Sequence, residues 1–554
     1  MDLGLDRIKT CLSNLPKNPT KYLKIVHVTG TNGKGSVCAL ISNTIQASGY
    51  KVATYNSPHF IEPRDAIRIN DCIISQRDYQ EIENMITDWE KFVLSASSFT
   101  GGSDEGLGSP GFGTLTSFEK ITVIALCWFM LESVDLAVIE VGMGGLRDAT
   151  NVFDSDQNDN SIPTLDFDQL SECIIAKWRI RDNAGNSDSK NKPQSSTSLV
   201  QCFTPISLDH VGMIGNNVTE ITYEKSGIIK PNSTVIIGKQ SPTSEVDITK
   251  TISDLAINKY KAKYVVNVAL LSKSSEIKLI TKDNTRYIEI ATPNVDSNNS
   301  NNNNSGETVK IELPIILPGS HQIDNALIAY YALLSLRNDF GWDKITPQSM
   351  FAGFINVNWP GRLTPLSIDL TSSNILPNNE KRSELDVIVD GAHNPEASIV
   401  LRNYIDSIIT STPCNYDSKA NEKEKKAKVC WILGFTKGKD IKSILEVLIK
   451  DNKDDLVWFV PFNPPVGMSW ISSATSQDCK TAALDNSTNI STKNQHDNYR
   501  YFDSLKDALI ERYKLGNEVD GQKTVTVVAG SLYLAADLYR LAGVKPWKEY
   551  SGSM

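Results

Sequence analysis

The sequence predicts an α/β protein made of two domains, and three observations support this prediction. Short β-branched runs alternate with segments of helical periodicity along most of the 554 residues, a pattern typical of strand–helix units. Leu136–Val141 is almost continuously apolar, as in parallel strands that helices cover on both faces. A second series of such patterns follows Trp359. We therefore expect one domain over 1–357 and a smaller one over 358–554, joined near residues 340–360.

Composition and charge restrict the class of protein. The net charge of −9, without a long basic stretch, argues against a nucleic-acid surface. Nine dispersed cysteines without a CxxC pair indicate reduced thiols inside the cell. The N-terminus resembles neither a signal nor a transit peptide, and the longest apolar run, Ile121–Leu131, is too short to cross a bilayer. We expect a cytoplasmic monomer that contacts no membrane, with a mitochondrial location as the alternative.

Periodicity predicts the elements of the first domain in chain order. The predicted helices are Asp2–Leu15, Val37–Gln46, Ser117–Glu132 and Gln322–Leu336. The predicted strands are Ile25–Val28, Lys51–Asn56, Leu136–Val141 and Phe203–Ser207. The last of these strands is expected to deliver Asp209 and His210 at its end, where ligands of α/β sheets commonly bind.

The second domain shows the same alternation, and polar segments interrupt both domains. Its predicted strands are Asp386–Asp390, Val429–Gly434, Leu456–Val460 and Thr524–Ala529, and its predicted helices are Ser504–Tyr513 and Ser531–Leu541. Low-complexity composition predicts insertions at about 96–113, 153–198, 294–307, 411–428 and 475–497. An apolar island at Cys173–Ile180 predicts one added strand within the second insertion.

The stretch IVHVTGTNGKGS at 25–36 predicts a phosphate-binding turn between a strand and a helix. Its glycines, Gly33 and Gly35 among them, let backbone N–H groups point inward, and the helix N-terminus adds partial positive charge. Lys34 can reach outer phosphates, and Ser36 offers a hydroxyl to phosphate or Mg²⁺. Compared with the usual G-x-x-x-x-G-K-[ST] pattern, the first glycine is displaced and Gly35 separates Lys34 from Ser36. The alternative is an ordinary glycine-rich turn.

Other polar side chains fall at or just after apolar strands, namely Ser57, Glu140, Asp148 and His210. A carboxylate at the end of a buried strand, as expected for Glu140, is costly unless it is paired or metal-bound. A hydroxyl, a carboxylate and an imidazole near a phosphate-binding turn suit Mg²⁺, which takes few protein ligands beside waters and phosphate oxygens. The alternative for His210 is a structural histidine whose hydrogen bonds are satisfied within the fold.

Nine motifs then point to one family. They are, in order, VTGTNGKGS at 28–36, NSPHF at 56–60, IEVGMGGLRDATN at 139–151, SLDH at 207–210, EKSGIIKP at 224–231, PGSHQIDNA at 318–326, NWPGRL at 358–363, DGAHN at 390–394 and AGSLYL at 529–534. Together they resemble the dihydrofolate synthase and folylpolyglutamate synthase family of the Mur ligase superfamily. The resemblance implies a P-loop Mur-ligase-type ATPase domain followed by a smaller Rossmann-like α/β domain.

The resemblance also implies the chemistry. Members of this family use ATP to convert a substrate carboxylate into an acyl phosphate, which the amine of L-glutamate attacks to form an amide. A triphosphate and a carboxylate must then lie side by side, so cations are needed to screen their repulsion. ATP and Mg²⁺, at two sites, are therefore the implied cofactors.

The family pattern assigns roles to individual residues of this sequence. The implied ATP contacts are Gly33, Lys34, Gly35, Ser36, Asn325, Arg362, Asp390 and His393. The implied magnesium ligands are Ser57, Glu140 and His210. Lys225 matches a family lysine that is often carbamylated, which would turn a cation into a metal-binding anion. From the residues alone, Lys225 is instead a plain surface lysine on a helix, and His393 is equally well a structural histidine in a turn.

Two segments match the family's pteroate pocket, namely Thr116, Ser117, Phe118 and Glu119, and then Arg147, Asp148 and Ala149. Phe118 is placed to stack on an aromatic ring, or else belongs to the core of an apolar helix. The second segment departs from the family pattern, because Leu146 displaces the arginine by one position.

Two activities share this framework. One adds the first glutamate to 7,8-dihydropteroate, and the other extends the glutamate tail of a finished folate. Asn32, the Gly-Met-Ser-Trp-Ile run at 467–471 and the asparagine-rich insertions resemble fungal members with the first activity, which we favour. A tail-extending or bifunctional enzyme is the alternative. A nucleotide-binding scaffold and a P-loop kinase remain as rivals from other classes.

Overall fold

The computed structural model describes residues 4–99, 114–153, 197–274, 277–283, 285–293, 308–376, 384–411, 427–449, 454–487, 498–516, 518–519 and 522–552. Within these stretches the strands form three sheets of nine, three and seven strands. In the seven-stranded sheet, six strands lie in one row and the seventh pairs at its side. The alternation of strands and helices predicted from the sequence is confirmed. The predicted domain boundary near residue 358 stays a prediction.

The first sheet is mostly parallel, with strand order β19-β4-β3-β2-β5-β1-β6-β7-β8. Its strands are β1 (Ile25–Thr29), β2 (Val52–Tyr55), β3 (Ile67–Ile69), β4 (Cys72–Ile73), β5 (Leu136–Glu140), β6 (Ser198–Phe203), β7 (Thr234–Ile237), β8 (Tyr264–Asn267) and β19 (Lys548–Glu549). Strands β2, β5, β1 and β6 run parallel to one another, so that their carboxyl ends lie along one edge. This edge carries the candidate site.

Helices cover the first sheet on both faces. They are α1 (Asp6–Ser13), α2 (Lys34–Ala47), α3 (Gln76–Phe99), α4 (Ser117–Leu131), α5 (Val218–Ser226), α6 (Ile248–Asp254), α7 (Val268–Ser274), α8 (His321–Phe340) and α9 (Pro347–Ile355). Three hydrophobic clusters result, one around α4 and α1, one around α2 and α8, and one around α5 and α6. Between α7 and α8 lies a small antiparallel sheet of β9 (Ile277–Lys282), β10 (Thr285–Pro293) and β11 (Thr308–Ile315), which the sequence patterns did not predict.

The second lobe is built on a sheet with the order β12-β13-β18-β14-β15-β16. Its strands are β12 (Thr364–Asp369), β13 (Glu384–Val389), β14 (Lys428–Leu433), β15 (Leu456–Phe459), β16 (Tyr499–Tyr501), β17 (Glu518–Val519) and β18 (Gln522–Ala529). Its helices are α10 (Pro395–Ser411), α11 (Ile441–Ile449), α12 (Ser476–Ser487), α13 (Leu505–Lys514) and α14 (Leu532–Leu541). Hydrophobic clusters lie on both faces of this sheet.

The predicted strand at Phe203–Ser207 was misplaced. Strand β6 occupies Ser198–Phe203 and is entirely buried, and residues 204–209 form a loop. Pro205 has no N–H with which to continue a strand ladder. The polar start of β6 is tolerated in the core because Gln201 Nε2 donates a hydrogen bond to Ser198 Oγ at 2.8 Å. His210 therefore lies several residues beyond the strand end.

Two predicted insertions contain regular structure. Helix α3 extends to Phe99, into the segment predicted to be flexible, and α12 occupies Ser476–Ser487. Both stretches are rich in small polar residues, whose weak intrinsic preference the surrounding fold overrides. The apolar island at 173–180 and the asparagine-rich tract lie outside the described residues.

The end of the chain returns to the first sheet. Strand β19 pairs in parallel with β4, and Tyr550 Oη donates a hydrogen bond to Glu132 Oε2 at 2.9 Å. The C-terminal residues therefore connect the second lobe to the first. Among the described helices, none combines the length and the apolar character needed to cross a bilayer.

Candidate active site

The glycine-rich turn that the sequence predicts to bind phosphate joins the end of β1 to the start of α2. Gly30 has φ +141° and Gly33 has φ +93°, backbone conformations that residues other than glycine rarely adopt. Gly33 is the residue that precedes α2, and a Cβ there would overlap the side chain of Asn325. A Cβ on Gly35 would overlap the indole of Trp359. The turn is thus closely covered by groups from α8 and from the start of the second lobe.

Lys34 and Ser36 lie in the first turn of α2, which begins three residues earlier than the sequence predicted. Lys34 Nζ donates a hydrogen bond to the carbonyl of Thr31 at 3.0 Å and lies 3.9 Å from Glu140 Oε1. Ser36 is buried, and its hydroxyl accepts a hydrogen bond from Gln322 Nε2 at 3.4 Å. The lysine therefore sits between the turn and the carboxylate at the end of β5.

Glu140 is a buried carboxylate with one well-satisfied oxygen. Asn56 Nδ2 donates to Oε2 at 2.9 Å, and the backbone N–H of Ser57 also bonds the carboxylate. Burial raises the pKa of Glu140, and the neighbouring Lys34 acts in the opposite direction. The hydroxyl of Ser57 is buried without a hydrogen-bond partner in the part of the chain that the structure describes.

This donor set fits magnesium. The Oε1 atom of Glu140, which lies 3.9 Å from the Lys34 ammonium, and the buried Ser57 hydroxyl are hard oxygen donors, which Mg²⁺ prefers. Over the described residues, no three His, Cys, Asp or Glu side chains gather into a cage. A site completed by waters and phosphate oxygens is the arrangement that Mg²⁺ usually adopts.

His210 lies on the loop after β6 with φ +50°, and its side chain is 40% exposed. Its Nε2 is 3.5 Å from Asp209 Oδ2. Burial lowers the pKa of His210, Asp209 opposes this shift, and the charges of Lys225 and Lys34 add to the lowering. His210 is therefore within electrostatic range of both lysines, although it makes no direct hydrogen bond to Glu140 in the described structure.

Lys225 is buried near the end of α5, so the alternative of a plain surface lysine is excluded. Its Nζ donates a hydrogen bond to the carbonyl of Gly30 at 2.8 Å. Burial, with a contribution from Lys34, lowers the pKa of Lys225 to about 7. A large fraction of this amine is neutral near neutral pH, which makes it a nucleophile.

Arg362 and Asp390 come together where the second lobe begins. Asp390 accepts hydrogen bonds from the backbone N–H groups of Leu363 and Ala392, both at 2.8 Å. Burial raises the pKa of Asp390, and Arg362 opposes this shift. A Cβ on Gly391 would overlap the guanidinium of Arg362, so only a glycine at this position leaves room for the arginine side chain. Arg362 also opposes the raised pKa of Glu140, which places its charge near the first lobe's carboxylate.

His393 and Asn325 flank this junction. His393 Nδ1 donates to the carbonyl of Gly391 at 2.8 Å, and burial lowers its pKa to about 4, so the ring is neutral at neutral pH. Asn325 Nδ2 donates to Gln322 Oε1 at 2.9 Å. Gln322 thereby links Asn325 to Ser36 of the phosphate-binding turn.

The sequence reasoning assigned no role to several residues that the fold brings here, namely Asn56, Arg68, Asp209, His321, Gln322 and Lys439. Asn56, Asp209, His321 and Gln322 stand inside three of the nine motifs and were detectable from them. Burial lowers the pKa of His321 to about 4, and Arg362 acts in the same direction. Lys439 lowers the pKa of both His210 and His393, and no sequence motif marked its position.

The first predicted pocket segment begins α4, and most of its polar groups stabilise that helix. Thr116 and Glu119 form a reciprocal cap with hydrogen bonds of 3.2 and 2.7 Å. Arg7 pairs with Glu119 at 3.1 Å. Ser117 is exposed, while Phe118 is half-buried and stacks on Tyr55 with ring centroids 6.2 Å apart. Phe118 also fills the space that a Cβ on Gly142 would need.

The second predicted pocket segment is held in place by Asp148. Its carboxylate accepts hydrogen bonds from the N–H of Met143 at 2.7 Å and from the N–H of Thr150 at 3.0 Å. Arg147 pairs with Glu224 at 3.3 Å, one residue before Lys225, and Ala149 is buried. The loop after β5 is thus anchored to α5.

A buried histidine supports the same loop and gives a pH prediction. His27 in β1 is 1% exposed, and its Nε2 lies 2.8 Å from Thr150 Oγ1. Burial lowers the pKa of His27 from 6.5 to about 3. The unfolded chain therefore binds the proton first, so this contribution to stability is present above pH 6.5 and is lost as pH falls toward 3.

We expect the wild type to lose about 2 kcal/mol more unfolding free energy than His27→Gln on going from about pH 7 to about pH 5. Urea unfolding at the two pH values measures the difference. Equal losses in the two proteins would contradict a neutral, buried His27.

Comparisons with known proteins agree with the geometry. Residues 372–541 match the family model described as "Dihydrofolate synthetase, C-terminal domain". A probable dihydrofolate synthetase of Schizosaccharomyces pombe is 29% identical over 540 residues, which cover 98% of this chain and 98% of that protein. The dihydrofolate synthetase of Saccharomyces cerevisiae is 27% identical over 543 residues, again 98% of both chains.

Solved structures show the same fold. A folylpolyglutamate synthase of Mycobacterium tuberculosis complexed with ADP aligns with a TM-score of 0.64 and 22% identity, over 99% of this chain and 96% of that one. The Thermotoga maritima folylpolyglutamate synthase gives a TM-score of 0.61 at 21% identity, over 98% and 94%. The predicted α/β fold class is confirmed, because these structures share the fold over nearly the whole chain. Over 98% of its length the chain is similar to proteins named dihydrofolate synthetase, in agreement with the resemblance that its nine motifs carry.

Proposed function

We propose that this protein uses ATP to join L-glutamate to 7,8-dihydropteroate through an acyl phosphate. Lys34, Glu140 and Lys225 converge on one glycine turn, and Arg362 approaches from the second lobe; this convergence is the main support for the proposal. Two relatives named dihydrofolate synthetase, aligned over 98% of the chain, support the choice of dihydropteroate.

The triphosphate of ATP would occupy the turn at Gly33, Lys34, Gly35 and Ser36. The inward-facing N–H groups and the start of α2 favour an anion there. Lys34, now held by the carbonyl of Thr31 and by Glu140, would turn its ammonium toward the outer phosphates. Asn325, Asp390 and His393 would contact the rest of the nucleotide at the lobe junction.

Ser57, Glu140 and His210 would hold magnesium beside this turn. When bound, the ion would neutralise negative charge on the phosphates and on the transferring group. The unpartnered hydroxyl of Ser57 and the Oε1 atom of Glu140 are the two donors best prepared for this role.

Lys225 would carry a carbamate and supply an anionic ligand for a second magnesium ion. Its pKa of about 7 leaves the amine free to add to carbon dioxide, and a carbamate would remove the repulsion between Lys225 and Lys34. Intact-protein mass measured with and without bicarbonate would show the added carbon dioxide; an unchanged mass would contradict the modification.

Arg362 would stabilise the charge on the phosphoryl group as the substrate carboxylate attacks it. Its planar guanidinium can donate two hydrogen bonds to a phosphate. Its charge lowers the pKa of Glu140 in the first lobe, so the guanidinium lies near that carboxylate. The amine of L-glutamate would then attack the acyl carbon, form the amide bond and release phosphate. Holding the carboxylate in line with the transferring phosphate supplies much of the rate.

The pterin would bind near Phe118 and the loop at Arg147, Asp148 and Ala149. Phe118 offers a half-buried ring beside Tyr55, whereas Thr116, Ser117 and Glu119 would shape the start of α4 around it. Arg147 would contact substrate only if it leaves Glu224, its present partner. We further propose that the protein acts as a cytoplasmic monomer.

Purified protein with ATP, Mg²⁺ and L-glutamate, offered dihydropteroate or tetrahydrofolate in turn, tests the substrate choice. We expect ADP release with dihydropteroate that depends on glutamate. Turnover with tetrahydrofolate alone would favour the tail-extending activity, which the folylpolyglutamate synthases of similar fold suggest as the second candidate. ADP release without glutamate would point to a kinase, and no ADP release to a scaffold.

A further inference from the structure

Arg68 is a buried cation that lies beside two tryptophan rings where the two lobes meet. It lies in β3 and its side chain is 3% exposed. The guanidinium carbon is 4.4 Å from the ring centre of Trp547 and 5.6 Å from that of Trp359. Its Nε atom lies 3.6 Å from Asp71 Oδ1. Aromatic rings at such distances stabilise a desolvated cation.

Arg68 determines how the Asn56 amide is oriented. Arg68 Nη2 donates a hydrogen bond to Asn56 Oδ1 at 2.5 Å, and Asn56 Nδ2 donates to Glu140 Oε2 at 2.9 Å. A guanidinium has donors only, so the amide oxygen must face Arg68 and the amide nitrogen must face Glu140. This chain of bonds occupies Oε2 of Glu140 and leaves Oε1 facing Lys34.

The other side of Arg68 is held by the C-terminal strap, which we define as residues 544–550. The N–H of Val544 donates to the carbonyl of Tyr539 at 3.0 Å, and Asn358 Nδ2 donates to the carbonyl of Pro546 at 3.0 Å. Strand β19 and Tyr550 then attach the strap to the first sheet. Trp547 lies between these attachments and is 8% exposed.

We propose that the C-terminal strap is a positioning element for magnesium–nucleotide binding, acting through Trp547, Arg68 and Asn56 on the carboxylate of Glu140. The strap touches neither nucleotide nor metal. It holds the cation that orients the amide, and the amide holds the carboxylate in the rotamer that presents Oε1. This inference rests on the proposed function, because it takes Glu140 to be a magnesium ligand.

The energetics favour a functional reason for this arrangement. A desolvated guanidinium costs several kcal/mol, and apolar side chains of similar volume commonly stabilise a protein as well or better. Residues behind a metal ligand typically change metal affinity by about 10–100-fold when they are replaced. Arg68 therefore has the location and the chemistry of such a supporting residue.

Four variants separate positioning from packing. Arg68→Met removes the donors while keeping an elongated side chain, and Asn56→Leu removes the amide at similar volume. Trp547→Leu removes the ring over Arg68, whereas Trp547→Phe keeps an aromatic face and serves as the conservative rescue. Trp342→Leu is the matched control, because Trp342 is 6% exposed and contacts Tyr50 and Lys24, away from Glu140.

Binding of a fluorescent ATP analogue to the full chain is titrated with Mg²⁺ in the absence of the other substrates, and each thermal midpoint is recorded. We expect Arg68→Met, Asn56→Leu and Trp547→Leu to raise the Mg²⁺ needed for half-maximal binding about 10–100-fold. Trp547→Phe and Trp342→Leu should match the wild type in this titration, whatever their thermal midpoints.

One result would contradict the proposed function, and a different result would contradict only the role of the C-terminal strap. A wild type whose nucleotide binding ignores Mg²⁺ would contradict the proposed function itself. A wild type that depends on Mg²⁺, with folded Asn56→Leu and Trp547→Leu variants indistinguishable from it, would overturn the role of the strap alone. If Arg68→Met fails to fold, these two variants still decide the question.

Discussion

Glu140→Ala is expected to lower turnover about 10³-fold, which corresponds to about 4 kcal/mol of transition-state stabilisation. Glu140 ends a buried strand, faces Lys34 at 3.9 Å and is held by Asn56, so its charge is kept where phosphate and magnesium would meet. Steady-state turnover at saturating ATP and Mg²⁺ measures the loss. Because burial raises the pKa of this carboxyl, its charge does not favour folding, and the thermal midpoint should change little.

Glu140→Gln and Asp455→Asn form a matched pair of controls. Both replace a buried carboxylate by an amide of the same shape, and Asp455 lies at the opposite end of the second sheet, paired with Arg402 at 3.2 Å. Glu140→Gln should lose most of the turnover, whereas Asp455→Asn should affect stability only. Near-normal turnover in a folded Glu140→Gln variant would contradict the proposal that Glu140 is a magnesium ligand.

Arg362→Gln should lower turnover about 10²–10³-fold, the usual effect of removing one donor that stabilises developing charge. The guanidinium lies against Gly391 and near Asp390, and among the described residues it forms no direct ion pair. It is therefore available to a phosphate. Arg362→Lys should recover only part of the loss, because a lysine lacks the planar fork.

Gly391→Ala tests the same residue without removing it. Gly391 does not have a positive φ, so alanine is compatible with its backbone, but the new methyl group would overlap Arg362 and displace its guanidinium. We expect reduced turnover with little change in thermal midpoint. Arg500→Gln, at an exposed pair with Glu511 in the second lobe, is the control for loss of an arginine. Full activity in Arg362→Gln would show that this cation does not take part.

Local patterns predicted most of the fold because each depends on near neighbours in the sequence. β-Branched runs located β1, β2 and β5, and helical periodicity located α2, α4 and α8 within a few residues of their observed ends. The patterns failed where long-range pairing decides the structure. Strand β19 has two exposed residues and forms through pairing with β4, and the three-stranded sheet depends on cross-strand registers. β6 was misplaced because its buried serine and glutamine satisfy each other.

Some residues of the candidate site were likewise predictable from local patterns, whereas others reach the site through long-range packing. Glu140 ends a strand, and Lys34, Ser36 and Ser57 come within a few residues of a strand end, so their position at one sheet edge was predictable from spacing. The burial of Lys225 and the approach of Arg362 arise from packing between distant segments, and only family resemblance singled them out beforehand. Arg68 and Trp547 are 479 positions apart and meet through the return of the chain to its first sheet. No local pattern marks such a pair.

Transfer of oxygen from substrate to phosphate tests the central claim most directly. Dihydropteroate labelled with ¹⁸O in its carboxylate is incubated with the protein, ATP, Mg²⁺ and L-glutamate, and the products are examined by mass spectrometry. An acyl phosphate captured by the amine must leave one labelled oxygen in inorganic phosphate. Label in AMP, or phosphate without label beside newly formed amide, would contradict the account.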